Sequence, residues 1–162
     1  MSLDSDISFL SRLGIFSELP SDQIRLLAFS AERRELAAGS VLFEKGTTAK
    51  SGFVLTAGRL EFSDYVKGRR TVLAECEVGT LIGEMALIVD TPRPATAIAV
   101  ERSEVMEISR ALMMRMLNEY PQAAVRMGGA IRARLRSNLA ELWEARSAFF
   151  VEREPLRLRA VI

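Results

Sequence analysis

Glycine spacing is the feature that most limits how this chain can fold. From about residue 31 to 108, short runs of β-forming residues are separated by glycines, namely Gly39, Gly46, Gly52, Gly58, Gly68, Gly79 and Gly83. Short strands with turn residues at such intervals are typical of an antiparallel barrel or sandwich. In one run, Leu60 and Phe62 alternate with Arg59 and Glu61. This alternation predicts a strand whose first pair faces the core and whose second pair faces water.

Other positions predict the order of the strands. Lys67-Gly68 is a natural hairpin tip between the segments 65–66 and 71–73. Residues 96–100 and 104–108 are predicted to be the last two strands. Cys76 lies in an apolar strand pattern, so we expect a buried, unreactive thiol rather than a redox sensor.

Helical patterns flank the β region at the N-terminal side. Residues 6–14 are predicted to form a short helix that ends at Gly14 in a left-handed cap. A second helix is predicted after Pro20, with Ser21 as its N-cap and with Ile24, Leu27 and Ala28 on one face. We expect both helices to cover the core.

The C-terminal side is predicted to be helical as well. Ser109 is expected to cap a helix that runs to Asn118, and Pro121 to begin a long helix that runs to about residue 150. The long helix carries a heptad-like seam, made of Gly128, Ile131, Leu135, Asn138, Leu142, Ala145 and Phe149. Such a seam favours pairing with a second chain, and packing onto the chain's own β region is the alternative. Residues 151–162 are interpreted as a tail that orders only on another surface.

Composition excludes several classes of function. The chain has 162 residues, 22 basic and 21 acidic side chains, one cysteine and no histidine. Histidine-based metal centres and catalytic triads are therefore impossible, and there is no Walker-type Gly-Lys-Ser/Thr. No run approaches the roughly 18 apolar residues of a membrane span. Catalysis by carboxylates or lysine alone is the alternative, but no spacing in the sequence indicates it. We expect a cytoplasmic protein that is not an enzyme and has no metal or other cofactor.

The stretch from Gly79 to Thr96 has the composition of an anion site. Gly83 permits a sharp turn and close backbone approach, after which the amides of residues 84–87 are expected to point outward. Arg93 supplies a permanent positive charge. Because Pro92 and Pro94 flank this arginine, we expect it to be presented from a stiff arm of extended backbone.

At these residues the sequence resembles the cyclic nucleotide-binding domains of the catabolite activator protein, kinase regulatory subunits and cyclic nucleotide-gated channels. The resemblance rests on Gly83-Glu84-Met85-Ala86-Leu87 followed by Arg93-Pro94-Ala95-Thr96, and it extends over about residues 9–118. It implies a mainly β fold with flanking helices, in which residues 1–120 form a domain of N-terminal helices and an antiparallel barrel of the jelly-roll, double-stranded β-helix type. The long helix, residues 121–150, would then be a dimerisation element and a cap over the ligand.

The resemblance also implies roles for individual residues. Glu84 would accept a hydrogen bond from the ribose 2′-hydroxyl, and Arg93 would pair with the cyclic phosphate. Backbone amides near Gly83 and Ala86 would complete the cradle. The ligand-binding residues expected on this basis are Ile82, Gly83, Glu84, Met85, Ala86, Arg93, Pro94 and Ala95.

Pro94 departs from the family pattern. In well-studied members the residue after the arginine gives its backbone N–H to the phosphate, and proline has no N–H to give. Members that prefer cyclic GMP often carry a hydroxyl at this position, so the resemblance favours cyclic AMP over cyclic GMP. The alternative is a constitutive dimerisation or docking module whose nucleotide pocket has degenerated.

The remaining expectations concern partners. A homodimer through the C-terminal helix is expected, and an unidentified protein partner is left open. After the long helix only the tail remains, which is too short for a helix-turn-helix DNA reader. The helix is locally basic through Arg126, Arg132, Arg134, Arg136 and Arg146. We interpret these arginines as a solvated face, so we expect no direct DNA binding and no membrane binding.

Overall fold

The computed structural model describes residues 2–130, 132, 133, 136 and 156–158. Within them the chain is mainly antiparallel β structure, which confirms the predicted fold class. The strands are β1 (Glu32–Leu36), β2 (Val41–Phe43), β3 (Thr48–Ala49), β4 (Ser51–Ala57), β5 (Leu60–Val66), β6 (Arg69–Cys76), β7 (Leu81–Ile82), β8 (Thr91–Pro92), β9 (Thr96–Ala99), β10 (Ser103–Ser109) and β11 (Leu156–Leu158).

The strands form two larger sheets and one short ribbon. One sheet has the order β1-β10-β4-β7, the other has the order β11-β6-β5-β9-β2, and β3 pairs with β8. Hydrogen bonds between the described strands do not close these sheets into a continuous barrel. The predicted hairpin lies between β5 and β6, where Lys67 and Gly68 have φ values of 51° and 76°. Two successive positive φ values are typical of the tight turns that match the twist of paired strands.

Burial follows the predicted alternation along β5. Leu60 and Phe62 are buried, whereas Arg59 is exposed and Glu61 is half-buried. Cys76 is also buried, and burial raises the pKa of its thiol to about 12. This agrees with the expected unreactive core cysteine.

The N-terminal helices form, but their ends differ from the prediction. Helix α1 (Leu3–Ser11) begins with a capping box between Ser2 and Ser5 and ends at Arg12. Gly14 is not left-handed, so its predicted role as the cap is wrong. Helix α2 (Ser21–Ser30) has Pro20 at the N-cap position, so Ser21 is the first helical residue instead of the cap. Serine is common both at the N-cap and at the first helical position, so the prediction placed the start of the helix one residue too late.

The C-terminal helices begin where the sequence predicts. The Ser109 hydroxyl accepts a hydrogen bond from the Leu112 amide at 3.2 Å and caps α3 (Arg110–Glu119). A further helix, α4, starts at residue 121 and includes residues 121–130, 132, 133 and 136. Of the predicted seam, Gly128 is described, and the other seam positions lie outside the described residues.

The tail differs from the prediction. Strand β11 runs parallel to β6, with Leu156 opposite Ala74 and Leu158 opposite Cys76. The expectation that the tail orders only on another surface is therefore wrong for this segment. A strand in the same chain supplies its backbone partners.

Two hydrophobic clusters make up the core. The first joins α1 and α2 to α3 and α4, and it includes Leu87, Met113, Met116, Ala123 and Met127. The second lies between the sheets and includes Phe53, Leu60, Phe62 and Ile82. In the part of the chain that the structure describes, no helix is both long and apolar enough to span a bilayer.

Candidate functional site

The anion-site candidate is built around a turn at Gly83. This residue has φ 71° and ψ 38° and precedes a short 3-10 helix, Glu84–Leu87. The Ala86 amide donates to the Gly83 carbonyl at 3.0 Å, which is the hydrogen bond that a 3-10 turn requires. The expectation that all the amides of residues 84–87 point outward is therefore wrong for Ala86.

The backbone of Arg93 is held on both sides. Its amide donates to the Thr47 carbonyl at 2.8 Å, and its carbonyl accepts from the Gly46 amide at 2.8 Å. Pro92 lies in β8, opposite Thr48. With the fixed φ of the flanking prolines, these bonds give Arg93 the stiff mounting that the sequence predicts.

The side chain of Arg93 lies inside the domain and touches the cassette turn. Its guanidinium donates from Nη2 to the Ser51 carbonyl at 2.8 Å. Its Cζ lies over the rings of Phe43 and Phe53, 4.3 and 5.2 Å from their centroids. A Cβ added to Gly83 would lie 2.4 Å from Nη1 of Arg93. Close approach at Gly83 is therefore real, and in this structure the approaching group is the arginine.

The electrostatic environment of Arg93 is unusual for a charged side chain. Arg93 is only 5% exposed, and burial lowers the pKa of its guanidinium, while the charge of Glu107 acts in the opposite direction. The ion pairs among the described residues do not include Arg93. Glu107 therefore offsets the charge of Arg93 without forming an ion pair with it, and one described hydrogen bond leaves part of the five N–H donors of the guanidinium unused by this part of the chain.

Glu107 of β10 contacts the residue that binds the Arg93 side chain. Its carboxylate accepts from the Ser51 hydroxyl at 2.7 Å and forms an ion pair with Arg34 at 3.0 Å. Ser51 therefore connects the two charged groups, since its carbonyl binds Arg93 and its hydroxyl binds Glu107. This arrangement holds the strand that in turn holds the arginine.

The other predicted site residues lie in the same part of the fold with different exposures. Glu84 is 4% exposed, and the buried residues Ile82, Ala86 and Ala95 belong to the core. Met85 is half-buried and Pro94 is exposed. The structure therefore brings Gly83 and Arg93 into contact, whereas the side chains of Ile82, Ala86 and Ala95 are buried in the core.

Four residues that contact or support Arg93 were not predicted from the sequence: Phe43, Ser51, Phe53 and Glu107. Phe43 does lie between two predicted turn glycines, Gly39 and Gly46, which signals a strand but not a partner for arginine. Ser51 acts through a carbonyl that every residue carries, so it has no sequence signal for this contact.

A separate groove lies away from this site. Its volume is about 470 Å³, and it is bordered by Glu18 and Pro20 on one side and by Tyr120, Pro121 and Arg126 on the other. None of its lining residues belongs to the stretch from Gly79 to Thr96. We therefore assign it no part in the anion site.

Comparison with known proteins identifies the class to which this fold and turn belong. The sequence profile of the cyclic nucleotide-binding domain matches residues 33–120, which is more than half of the chain. The chain therefore belongs to the cyclic nucleotide-binding domain family. The match includes the Gly83 turn, Arg93 and Glu107.

Three similar proteins illustrate the range of the family. The structure of a cyclic nucleotide-binding-like protein from Brucella abortus is 36% identical with a TM-score of 0.67, and the match covers 71% of this chain and 99% of that one. The Cyclic AMP receptor protein of Thermus thermophilus is 26% identical over 129 residues, covering 79% of this chain and 60% of the receptor. Lysophospholipase NTE1 of Chaetomium globosum is 28% identical over 110 residues, covering 67% of this chain.

The last two matches cover only part of the larger proteins. The region shared with the lysophospholipase is 7% of its length. The similarity therefore concerns one domain, and that domain resembles the regulatory modules of this family.

Proposed function

We propose that this chain is a cytoplasmic, non-enzymatic regulatory module that binds cyclic AMP, with cyclic GMP as the weaker ligand. The observation that carries the proposal is the buried guanidinium of Arg93 at the Gly83 turn, which forms no ion pair with the described residues. Burying a charge is costly unless a partner compensates it. A cyclic phosphodiester carries one negative charge and would supply that compensation.

The direction of Nη1 supports a ligand at the turn. Nη2 is used by Ser51, whereas Nη1 lies against Gly83, at the start of the 3-10 helix. A phosphate oxygen placed here would accept from Nη1 while the Ser51 bond remains in place. Glu84, in the same turn, is the candidate acceptor for the ribose hydroxyl.

The packing around the turn suggests how binding would be transmitted. Leu87 of the 3-10 helix belongs to the same hydrophobic cluster as Met113, Met116, Ala123 and Met127 of the C-terminal helices. A ligand that favours one position of the turn would therefore favour one position of α4, because close-packed groups move together. We propose that the position of α4, or its contact with a second copy or another protein, is the output.

Titration calorimetry with cyclic AMP and cyclic GMP tests the binding proposal. We expect heat with cyclic AMP for the wild type and a loss of at least about tenfold in affinity for Arg93→Lys, which keeps the charge but loses the planar fork. Arg102→Ala is the matched control, because its side chain is 81% exposed and pairs with Glu35 at the surface. Absence of heat with both nucleotides up to about 1 mM would reject nucleotide binding as the function.

The fluorescence of Trp143, the single tryptophan of the chain, tests the coupling proposal. We expect its emission to change when cyclic AMP is added to the wild type, and the same change in Arg93→Lys to require at least about tenfold more nucleotide. Binding by calorimetry without any change in emission or in sedimentation would argue against coupling through the C-terminal helix.

A second candidate is a constitutive dimerisation or docking module with a degenerate pocket. Two observations favour it: Pro94 has no amide to offer, and only 5% of Arg93 is exposed. This candidate predicts a dimer whose sedimentation is identical with and without cyclic AMP. A nucleotide-dependent shift in sedimentation would exclude it.

A further inference from the structure

The ring of Phe43 is placed to control the group on which the proposed function depends. Phe43 ends β2, at the edge of the five-stranded sheet, and pairs with Ala97 of β9. Its ring lies under the guanidinium of Arg93, with Cζ 4.3 Å from the ring centroid. We propose that Phe43 is a positioning residue, which holds the Arg93 guanidinium in the orientation that receives the phosphate of a cyclic nucleotide.

Few described contacts fix the orientation of the Arg93 guanidinium. Within the described residues, its one side-chain hydrogen bond is the 2.8 Å bond to the Ser51 carbonyl. A single hydrogen bond leaves a guanidinium free to turn about the bonded N–H. A second contact is needed to fix the plane of the group, and of the two described rings that face Cζ, Phe43 is the nearer.

Phe53 does not replace this contact. Its centroid lies 5.2 Å from Cζ of Arg93, and it also faces Arg34, whose Cζ lies 5.8 Å from the same ring. The rings of Phe43 and Phe53 are stacked with centroids 5.9 Å apart. Phe53 therefore packs against the Phe43 ring, while Phe43 makes the closer contact with the guanidinium.

Fixing the guanidinium in the ligand-free protein matters for affinity, because otherwise part of the binding energy of the ligand is spent on ordering this side chain. Immobilising a long side chain on binding weakens binding several-fold, and losing the cation–π contact that orders Arg93 in the free protein would add this cost. This inference rests on the proposed function, since positioning is meaningful only if an anion binds. It adds that the affinity depends on a side chain that need not touch the ligand.

The test compares Phe43→Leu, Phe43→Tyr and Phe62→Leu by calorimetry with cyclic AMP. We expect Phe43→Leu to bind about three- to tenfold more weakly and Phe43→Tyr, which keeps an aromatic face, to bind within about twofold of the wild type. Phe62→Leu is the matched control, because Phe62 is buried in the same cluster with its centroid 6.4 Å from that of Phe43. We expect it to lower stability and leave the affinity unchanged.

Proton NMR of the ligand-free protein gives a readout that core packing alone would not move. The δ-methylene and Nε protons of Arg93 should be shifted upfield by the ring current of Phe43. This shift should persist in Phe62→Leu and disappear in Phe43→Leu. The measurement on the wild type holds even if Phe43→Leu folds poorly.

The outcomes separate the inference from the proposed function. If the wild type binds no cyclic nucleotide, the proposed function itself is wrong, and the inference falls with it. If the wild type binds, the inference alone is overturned by equal or tighter binding of Phe43→Leu, by an equal loss in Phe62→Leu, or by an Arg93 spectrum without the upfield shift.

Discussion

Replacing Gly83 by alanine perturbs the site at the point where the turn meets Arg93. Gly83 has a φ of 71°, a left-handed conformation that costs an L-residue about 1–2 kcal/mol. The new Cβ would also lie 2.4 Å from Nη1 of Arg93, so the guanidinium has to move by about 1 Å to restore ordinary contact. Because Arg93 is buried, this movement disturbs its bond to the Ser51 carbonyl, which involves a charged donor and contributes about 1.5–3 kcal/mol.

Gly68→Ala is the control that separates strain from the clash. Gly68 has a φ of 76°, yet an added Cβ would meet no atom within 4 Å. Both variants therefore carry similar backbone strain, and only Gly83→Ala displaces the arginine. We expect losses in the free energy of unfolding of about 1–2 kcal/mol for Gly68→Ala and about 3 kcal/mol or more for Gly83→Ala.

Urea denaturation followed by circular dichroism measures the stability difference, and calorimetry with cyclic AMP measures the effect on the site. We expect Gly68→Ala to bind like the wild type and Gly83→Ala to bind at least about tenfold more weakly. Equal losses of stability in the two variants, together with unchanged binding by Gly83→Ala, would refute the idea that Gly83 is required by the approach of Arg93.

Three further predictions follow from the same contacts. Cys76 should resist thiol reagents at pH 8 until the protein unfolds. Burial raises its pKa to about 12, so its contribution to the free energy of unfolding should be complete below the unfolded pKa of about 8.5 and be lost as the pH rises toward 12. Urea titrations across this pH range would measure the loss. Pro94→Ala restores a backbone N–H and should tighten cyclic AMP binding by up to about tenfold, whereas unchanged calorimetry would mean that this amide does not meet the phosphate. Glu107→Gln removes the charge that opposes the burial cost of Arg93, so thermal unfolding should show a less stable ligand-free protein that gains more from cyclic AMP than the wild type does. If cyclic AMP raised the unfolding temperature of Glu107→Gln by no more than that of the wild type, the prediction would be wrong.

The fold was predictable because its signals are local. Glycines at the turns, alternation along β5 and the cap at Ser109 each require only neighbouring residues, and each agrees with the structure. The errors are local as well. Gly14 was expected to end α1 because glycine is frequent in left-handed caps, but the chain leaves the helix at Arg12 without a left-handed residue.

The contacts of the site were less predictable because they join distant parts of the chain. Gly83 and Arg93 are ten positions apart and could be connected by their motif. Ser51 and Glu107 meet Arg93 only because β4 pairs with β10 and β7, and that register is set by the whole sheet. The sequence pattern predicts an anion partner for Arg93, but it does not indicate that the Ser51 carbonyl and the Phe43 ring contact the side chain.

The supports of Arg93 raise the question of whether they prepare the site or compete with the ligand. The Ser51 carbonyl takes Nη2, the Phe43 ring takes the face of the guanidinium, and Nη1 lies against the Gly83 turn. In the proposed function, a phosphate at the turn would accept from Nη1 while the Nη2 bond to Ser51 and the contact with the Phe43 ring stay in place. Because the side chain is already ordered in the ligand-free state, less of the interaction energy of such a phosphate would be spent on ordering it. Competition would require the supports and the ligand to use the same donor, whereas the Ser51 bond uses Nη2 and the Phe43 contact uses the face of the guanidinium.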